Sequence, residues 1–337
     1  MATPTQLGGL KILREVAGFS VILPIGREDP VVKFCRSLAE KKINLPYFTL
    51  LRNRRTWGLN SMVDSGEGLR VSLMINENFG QGSQQVSDMA ILSIFPHQKN
   101  PEIAGRLFEV LENKDIKPFS IANSPSAISI VLQERFLNKT SQALFESFNF
   151  GSYHSPVDWK LAHKGREEFH KEIVASYQEK KPKIYAIELF DCQEMFLINL
   201  DKSGFRRIVN ALRSFAGLNL SLSFIATGPL GQKRNALAIC IPESSIDSSI
   251  GPFREYISHP LSGDQTAVAV FSMNGPHFGD RYGIVMELLA GFEQAGIDLI
   301  GLSCTVASIT GVIPSTQSGL AIESIKRYFD VPSVIKR

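Results

Sequence analysis

Apolar residues recur along this chain with two alternating periods. Runs of strand length, rich in β-branched residues, alternate with apolar stripes at the three- and four-residue spacing of a helix. The clearest unit begins with a strand-like run over residues 89–95. A helical stripe follows, then strand-like runs over 116–122 and 127–132, and then a second helical stripe. The pattern predicts a unit with the element order β-α-β-β-α.

The same order recurs near the end of the chain. A strand-like run over 267–273 is followed by a helical stripe, strand-like runs over 297–304 and 308–313, and a last helical stripe. Gly296 stands where a left-handed C-cap would end the first helix. In the earlier unit, Asn100 before Pro101 is a typical helix start. Both units therefore carry end signals as well as periodicity.

Two weaker copies precede these units. The first begins with a strand over 19–25 and the third with a strand over 195–200. The second helix of the first copy is poorly supported, because 65–82 is rich in glycine and asparagine. A charged amphipathic stretch over 164–181 predicts a linker helix. We therefore expect two tandem halves, each with a weak copy followed by a strong one.

Four such units predict an α+β fold of antiparallel sheets with helices on one face. A single βαββα unit leaves one sheet face bare and its edges unpaired, so neighbours are expected to pair edge to edge or to stack. The predicted boundaries give units over 1–82, 83–163, 164–260 and 261–337. The first and third of these are the divergent ones.

Composition narrows the classes of partner. The chain has 337 residues, of which 44% are hydrophobic and 20% charged, with a net charge of +3. This balance predicts well-formed cores and does not indicate a nucleic-acid partner. No apolar run is long enough for a membrane span and no signal peptide is visible, so we expect a cytoplasmic protein. The four cysteines form no CxxC pair and are expected to be buried free thiols.

Motifs for common catalytic chemistry are missing from the sequence. The histidines and cysteines show no metal-ligand spacing, so neither a metal nor a cofactor is expected. The segment 228–233 ends in Gly-Gln-Lys but lacks the strand and helix of a phosphate-binding loop. No Gly-x-Ser-x-Gly elbow is present. The basic cluster 52–55 is interpreted as a charged hairpin tip.

The stretch 91–148 resembles the aspartate-kinase type of ACT domain. The similarity lies in the helix segment Leu-Phe-Glu-Val-Leu at 107–111 and in Ser-Ala-Ile-Ser-Ile-Val at 126–131. In the last unit, 279–284 reads Gly-Asp-Arg-Tyr-Gly-Ile and resembles the Asp-Arg-Pro-Gly-Ile loop of many ACT domains, with Tyr282 in place of proline. The Lys-Phe-Gly-Gly start of the kinase domain is absent. The chain is thus identified as a tandem ACT-domain protein without a kinase domain.

This resemblance implies ferredoxin-like units that bind amino acids at interfaces between two units. The site would combine the loop after the first strand, the start of the first helix and the second strand. A helix N-terminus offers unpaired N–H groups to a carboxylate, and glycines allow close approach. The residues implied in the last unit are Asn274, Gly279, Asp280, Arg281, Gly283, Ile284, Ser303 and Thr305. Those implied in the second unit are His97, Asn100, Ile103, Asn123 and Ser124.

The leading hypothesis is a non-catalytic regulatory sensor that binds a free amino acid. Binding would change its association with itself, as a homodimer, or with a partner enzyme. The first and third units would be mainly structural. One alternative is an interaction scaffold whose ligand sites have decayed. Another is an enzyme that uses Asp280 or His277 as an acid or base, for which the sequence offers no second catalytic group.

Overall fold

The structure is a computed structural model. Strands and helices cover most of the chain. The residues it describes are 5–26, 29–53, 55–80, 83–96, 99–125, 127–151, 153, 155–158, 181–200, 204–218, 220–231, 234–245, 257–258, 267–276, 278, 281–305 and 308–337. The predicted linker helix over 164–181 and most of the second helix predicted for the third unit lie outside these residues.

The first unit contains the helix that the sequence supported poorly. Its elements are β1 (Thr5–Gln6), β2 (Gly9–Pro24), α1 (Pro30–Glu40), β3 (Tyr47–Arg52), β4 (Thr56–Asp64) and α2 (Gly68–Phe79). Val71, Met74 and Ile75 of α2 are buried, so a short apolar stripe outweighs the unfavourable glycine and asparagine content. A 3-10 turn, Ser65–Glu67, joins β4 to α2.

The second unit follows the predicted order. Its elements are β5 (Ser83–Phe95), α3 (Pro101–Asn113), β6 (Ser120–Asn123), β7 (Ile128–Gln133), α4 (Leu137–Ser147) and β8 (Phe148–Asn149). The predicted start of α3 is confirmed, because Asn100 Oδ1 accepts a hydrogen bond from Glu102 N at 2.8 Å. A 3-10 turn, Glu134–Phe136, again joins the third strand to the second helix.

The third and fourth units complete the chain. The third has β9 (Ala186–Asn199), α5 (Gly204–Gly217), β10 (Phe224–Gly231), β11 (Arg234–Pro242) and β12 (Ile257–Ser258). The fourth has β13 (Ala267–Asn274), α6 (Ile284–Ala295), β14 (Gly301–Thr305), β15 (Ser308–Pro314), α7 (Ser318–Tyr328) and β16 (Val334–Lys336). The predicted cap at Gly296 is confirmed by a left-handed φ of 66°. Matching 3-10 turns stand at Glu243–Ser245 and Ser315–Gln317.

The main strands form a sheet that closes on itself. Their order is β11-β10-β6-β7-β5-β2-β4-β3-β14-β15-β13-β9, and β9 pairs again with β11. Neighbours in this ring are antiparallel, whereas β16 joins β9 in parallel and β1 pairs with β8 in a small separate parallel sheet. The expected α+β class is confirmed. Closure gives every strand of the ring two partners, which removes exposed edges.

The ring folds into two layers, and each layer joins two units that are not the expected ones. β3 pairs with β14, which unites the first and fourth units, and β6 pairs with β10, which unites the second and third. Helices α1 and α6 pack together on one layer, and α3 and α5 on the other. The prediction that sequence neighbours form the halves missed this arrangement. Neighbours are linked instead by the ladders β2–β5 and β9–β13.

Three long strands bend where they pass from one layer to the other. Glu15 in β2, Asp88 in β5 and Cys192 in β9 have φ values of 57°, 55° and 52°. Each lies at a register shift of its ladder, as in a β-bulge. Cys192 is exposed at its bend, so the expectation of a buried thiol is wrong there, whereas Cys35, Cys240 and Cys304 are buried.

A buried polar network joins the inner faces of the two layers. The hydroxyl of Ser120 accepts hydrogen bonds from Tyr47 Oη at 2.8 Å and from Asn60 Nδ2 at 3.2 Å, and lies 2.9 Å from Thr227 Oγ1. Thr49 Oγ1 donates to the carbonyl of Thr227 at 2.7 Å. These contacts connect the first, second and third units. Two apolar clusters flank the network, one that contains Phe224 and one that contains Met62.

Gly58 of β4 marks the closest approach of the layers. A Cβ built there would overlap the carbonyl oxygen of Pro229 in β10. A backbone carbonyl has little freedom to move, so only glycine fits at this place.

Gly58→Ala is therefore expected to lower the free energy of unfolding by about 2–3 kcal/mol through overpacking of the interface. Urea unfolding measures the change. Gly319→Ala in α7 is the matched control, because nothing lies within 4 Å of its Cβ; its effect should stay within about 1 kcal/mol. Equal stability of Gly58→Ala and the native chain would contradict the described packing.

Candidate functional site

A narrow depression lies where the first and fourth units meet. It opens between the end of α1, the loop that leads to β3, and the start of α6. Its walls come from both units. The lining residues are Cys35, Leu38, Ala39, Ile43, Asn44, Leu45, Phe278, Arg281, Gly283, Ile284, Val285, Met286 and Cys304.

The sequence around α6 shapes one wall of this pocket. Gly283 is the N-cap of α6 and has a φ of 86°, a conformation that side chains disfavour. Its carbonyl accepts the first helical hydrogen bond, from Glu287 N at 2.9 Å. Among the described residues no side chain caps this helix start. Gly283, Ile284, Val285 and Met286 thus bring the first turn of a helix to the pocket, with its N–H groups and partial positive charge.

An ion pair lies beside this helix start. Arg281 Nη2 is 3.2 Å from Glu287 Oε1, and the two side chains are 17% and 27% exposed. Burial raises the pKa of Glu287, while the charge and the hydrogen bond of Arg281 oppose that rise. Of the two residues, Arg281 lines the pocket.

Two buried thiols form part of the apolar wall. Cys35 on α1 and Cys304 on β14 both line the pocket, and both are buried. Burial raises the pKa of Cys304 to about 12. Burial, with smaller effects from Asp29 and Cys304, raises the pKa of Cys35 still further above its usual range. Both side chains are therefore neutral at physiological pH and act as small apolar groups.

The structure brings together three of the residues implied in the last unit, namely Arg281, Gly283 and Ile284. Gly279 and Asp280 lie outside the described residues. Asn274 ends β13, where its carbonyl accepts a hydrogen bond from Tyr185 N at 2.8 Å. The ligand roles of all these residues stay predictions.

Ser303 and Thr305 lie on the other face of β14 from Cys304, as the alternation of a strand requires. Ser303 Oγ donates to the carbonyl of Asn123 at 2.9 Å and so joins the fourth unit to the second. Thr305 Oγ1 is 3.3 Å from Ser308 Oγ within its own hairpin. Both side chains are engaged in structural contacts, and their proposed ligand role stays a prediction.

Most of the residues implied in the second unit make structural contacts in the described part of the chain. His97 lies outside the described residues. Asn100 caps α3, and Ile103 is buried in the core beneath that helix. Asn123 Oδ1 accepts from Ile225 N at 2.6 Å, and Ser124 closes its turn through Ala127 N at 3.0 Å. Their assignment to a ligand site remains a prediction.

The sequence did not point to the contribution of the first unit. The end of α1 and the following loop supply nearly half of the lining, including Leu38, Ile43, Asn44 and Leu45. The sequence pattern predicted a helix through Leu38 and a strand over 43–51, and such a pattern does not distinguish a core residue from a pocket residue. Only the pairing of β3 with β14 brings them beside α6.

Two features are absent from the residues that the structure describes. They contain no group of three or more His, Cys, Asp or Glu residues that could hold a metal ion. They also contain no helix that is long and apolar enough to cross a membrane.

Comparisons with known proteins identify the fold. No family model matches the chain, and no curated protein matches it. The structure resembles aspartate kinase from Synechocystis with a TM-score of 0.76 and 14% identity, over 98% of this chain and 57% of that chain. The chain therefore spans little more than half the length of that kinase.

Two further matches cover only parts of this chain. The ligand-free regulatory subunit of aspartate kinase from Thermus thermophilus matches 42% of this chain and 99% of the subunit, with 16% identity and a TM-score of 0.38. Aspartokinase III from E. coli, in complex with aspartate and ADP, matches 44% of this chain and 34% of that chain, with 12% identity and a TM-score of 0.33.

The first match corrects the class of protein expected from the sequence. The solved chain that this structure follows over 98% of its length is an aspartate kinase, which is an enzyme. The expected tandem ACT-domain protein without a kinase domain, acting as a non-catalytic sensor or scaffold, is therefore contradicted by this match. The expectation relied on the recurring βαββα pattern and on the absence of the Lys-Phe-Gly-Gly motif, and a missing motif does not report on the fold of the remaining chain. At 14% identity the match establishes the fold alone.

Removing Arg281 should make the stability of the protein depend more strongly on the ionisation of Glu287. In Arg281→Ala the burial of Glu287 is no longer opposed, so its pKa in the folded protein rises further above the ordinary value of 4.5. A folded state that binds a proton more tightly than the unfolded state loses stability as pH rises through the folded pKa. Relative to the native chain, the variant should lose about 1 kcal/mol more at pH 7 than at pH 4.

Urea unfolding at both pH values measures this loss. The double variant Arg281→Ala/Glu287→Gln is the control and should show no added pH dependence, because the titrating group is gone. If Arg281→Ala follows the native pH profile in parallel, the pair does not have the electrostatic role described.

Proposed function

We propose that this chain serves an aspartate-kinase-type enzyme by binding an amino-acid effector that controls phosphoryl transfer. The observation that carries the proposal is the pocket between the first and fourth units, where a helix start and Arg281 face apolar walls. The four units are interpreted as ferredoxin-like ACT-type domains in two side-by-side pairs. The chain would thus work within or beside a kinase, in the cytoplasm, and would not act alone.

The pocket offers chemistry suited to both ends of an amino acid. The N–H groups at the start of α6 and the guanidinium of Arg281 are the donors that a carboxylate prefers. The carboxylate of Glu287, 3.2 Å from Arg281 Nη2, would attract an ammonium group. Partial burial raises the pKa of Glu287, and a second cation would oppose that rise. The α-carboxylate and α-ammonium groups would therefore be recognised as a class.

The apolar walls would determine which amino acid fits. Leu38, Ile43 and Leu45 of the first unit face Ile284 and Val285 of the fourth. A ligand with an apolar or small side chain would bury surface against both units. A larger charged side chain would have to extend toward solvent.

The position of the pocket supports a regulatory effect on the enzyme. A ligand held by residues of two units favours the arrangement in which these units are correctly placed. Coupling of this kind is typically worth about 1–3 kcal/mol between two sites. The change would reach the kinase, or a second copy of the chain, through the contact surface between them.

Binding is tested by thermal shift and calorimetry with each of the twenty amino acids. One of them should stabilise the native chain by about 2.7 kcal/mol at a hundredfold excess over its dissociation constant. Arg281→Ala should weaken that binding at least about tenfold, since one charge-assisted contact is lost. Ala39→Met should also weaken it by filling the pocket.

Arg70→Ala is the matched control, because Arg70 lies on α2 with its side chain 52% exposed and should leave affinity unchanged. The functional half of the proposal needs a second assay, ATP-dependent formation of aspartyl phosphate by the assembled enzyme. The same amino acid should alter that rate. Binding that survives Arg281→Ala and Ala39→Met excludes this pocket, and a rate insensitive to a bound amino acid excludes the link to catalysis.

A further inference from the structure

Lys99 makes an unusual set of contacts in the loop that precedes α3. Its Nζ lies 2.7 Å from Glu188 Oε2 and 3.9 Å from the centre of the Phe190 ring. Its carbonyl accepts a hydrogen bond from Leu222 N at 2.9 Å. Glu188 and Phe190 belong to β9, whereas Leu222 precedes β10. One residue of the second unit thus contacts two separate segments of the third.

The burial of the Lys99 charge and its left-handed backbone conformation are each energetically unfavourable. The Lys99 side chain is only 14% exposed, and lysine is rarely buried unless its charge is paired. Its φ of 57° is a left-handed conformation, which residues other than glycine seldom adopt. An ammonium group between a carboxylate and an aromatic face receives charge pairing and a cation–π contact together. This combination compensates the burial and keeps the loop in its strained conformation.

The corresponding place in the other layer is the pocket described above. Ile43 N donates to Leu38 O at 2.9 Å, and Leu220 N donates to Phe215 O at 3.1 Å, so these turns match. Leu222 therefore corresponds to Leu45, which lines the pocket between the first and fourth units. Between the second and third units, Lys99 lies at the corresponding position, and its carbonyl accepts a hydrogen bond from the N–H group of Leu222.

We propose that Lys99 is a latch that holds the site between the second and third units closed. The ammonium group anchors Lys99 on β9, and the carbonyl of the anchored residue holds the amide of Leu222. β9 also pairs with β13 of the fourth unit, where Glu188 faces Ser272 and Phe190 faces Val270 across the ladder. The latch therefore ties the closed site of one layer to a strand of the other. The latch rests on the proposed function, because the site that it closes corresponds to the pocket between the first and fourth units.

Hydrogen exchange of the Leu222 amide in the full chain tests the latch. Lys99→Met keeps the length of the side chain and removes its charge, so Leu222 should exchange about tenfold faster or more as the loop opens. Glu188→Gln should accelerate the same amide, and Lys99→Arg should retain most of the protection. The amide of Ile225, which donates to Asn123, should stay protected in all variants and shows that the layer remains folded.

Arg337→Gln is the matched control. Arg337 Nη2 lies 3.9 Å from the same Glu188 carboxylate, with its side chain 58% exposed, and its loss should leave Leu222 exchange unchanged. Two results would overturn the latch. One is exchange in Lys99→Met within twofold of the native rate, and the other is an equal acceleration in Arg337→Gln.

Discussion

The contact between two bare sheet faces is the constraint on which the other features of this structure depend. Helices cover the outer face of each layer, and the inner faces have only each other to exclude water. Polar groups at this contact must find partners, because an unpaired buried hydroxyl or amide costs about 1–3 kcal/mol. Ser120, Thr227 and Asn60 meet that requirement across the contact. The network therefore favours one register of the layers, and Gly58 allows the close approach that this register needs.

The same arrangement explains why the two side-by-side pairs differ. Both pairs bring a loop and a helix start beside a turn of the facing unit, but Arg281 pairs with Glu287 on the helix that follows it, whereas Lys99 reaches across to β9. Space remains beside Leu45 between the first and fourth units. Between the second and third units, the Lys99 carbonyl accepts a hydrogen bond from the Leu222 amide. Similar backbones thus leave a pocket beside Leu45 in one layer and a hydrogen-bonded Leu222 amide at the corresponding place in the other.

Local sequence signals predicted local structure well and long-range pairing poorly. The cap at Asn100 and the left-handed Gly296 depend on a few neighbouring residues, and both are confirmed. The bends at Glu15, Asp88 and Cys192 were not predictable, because no glycine marks them. Without those bends, units adjacent in the sequence are predicted to pair with each other, and the pairing of β3 with β14 is missed. For the same reason, the sequence pointed to only one wall of the pocket. The loop around Arg281 has a recognisable sequence pattern, whereas Leu45 becomes a pocket residue only because β3 pairs with β14.

The two layers are joined by their inner faces and by the closed ring of strands, so they should unfold together as one body. Thiol labelling across a urea titration, with each cysteine identified by peptide mass, tests it directly. Cys35 and Cys304 report on one layer and Cys240 on the other, and all three are buried, while exposed Cys192 should react at every concentration and serves as the internal reference. The account predicts that the three buried thiols become reactive at one common urea midpoint. A separate midpoint for Cys240 would show that the layers unfold independently and would contradict the account.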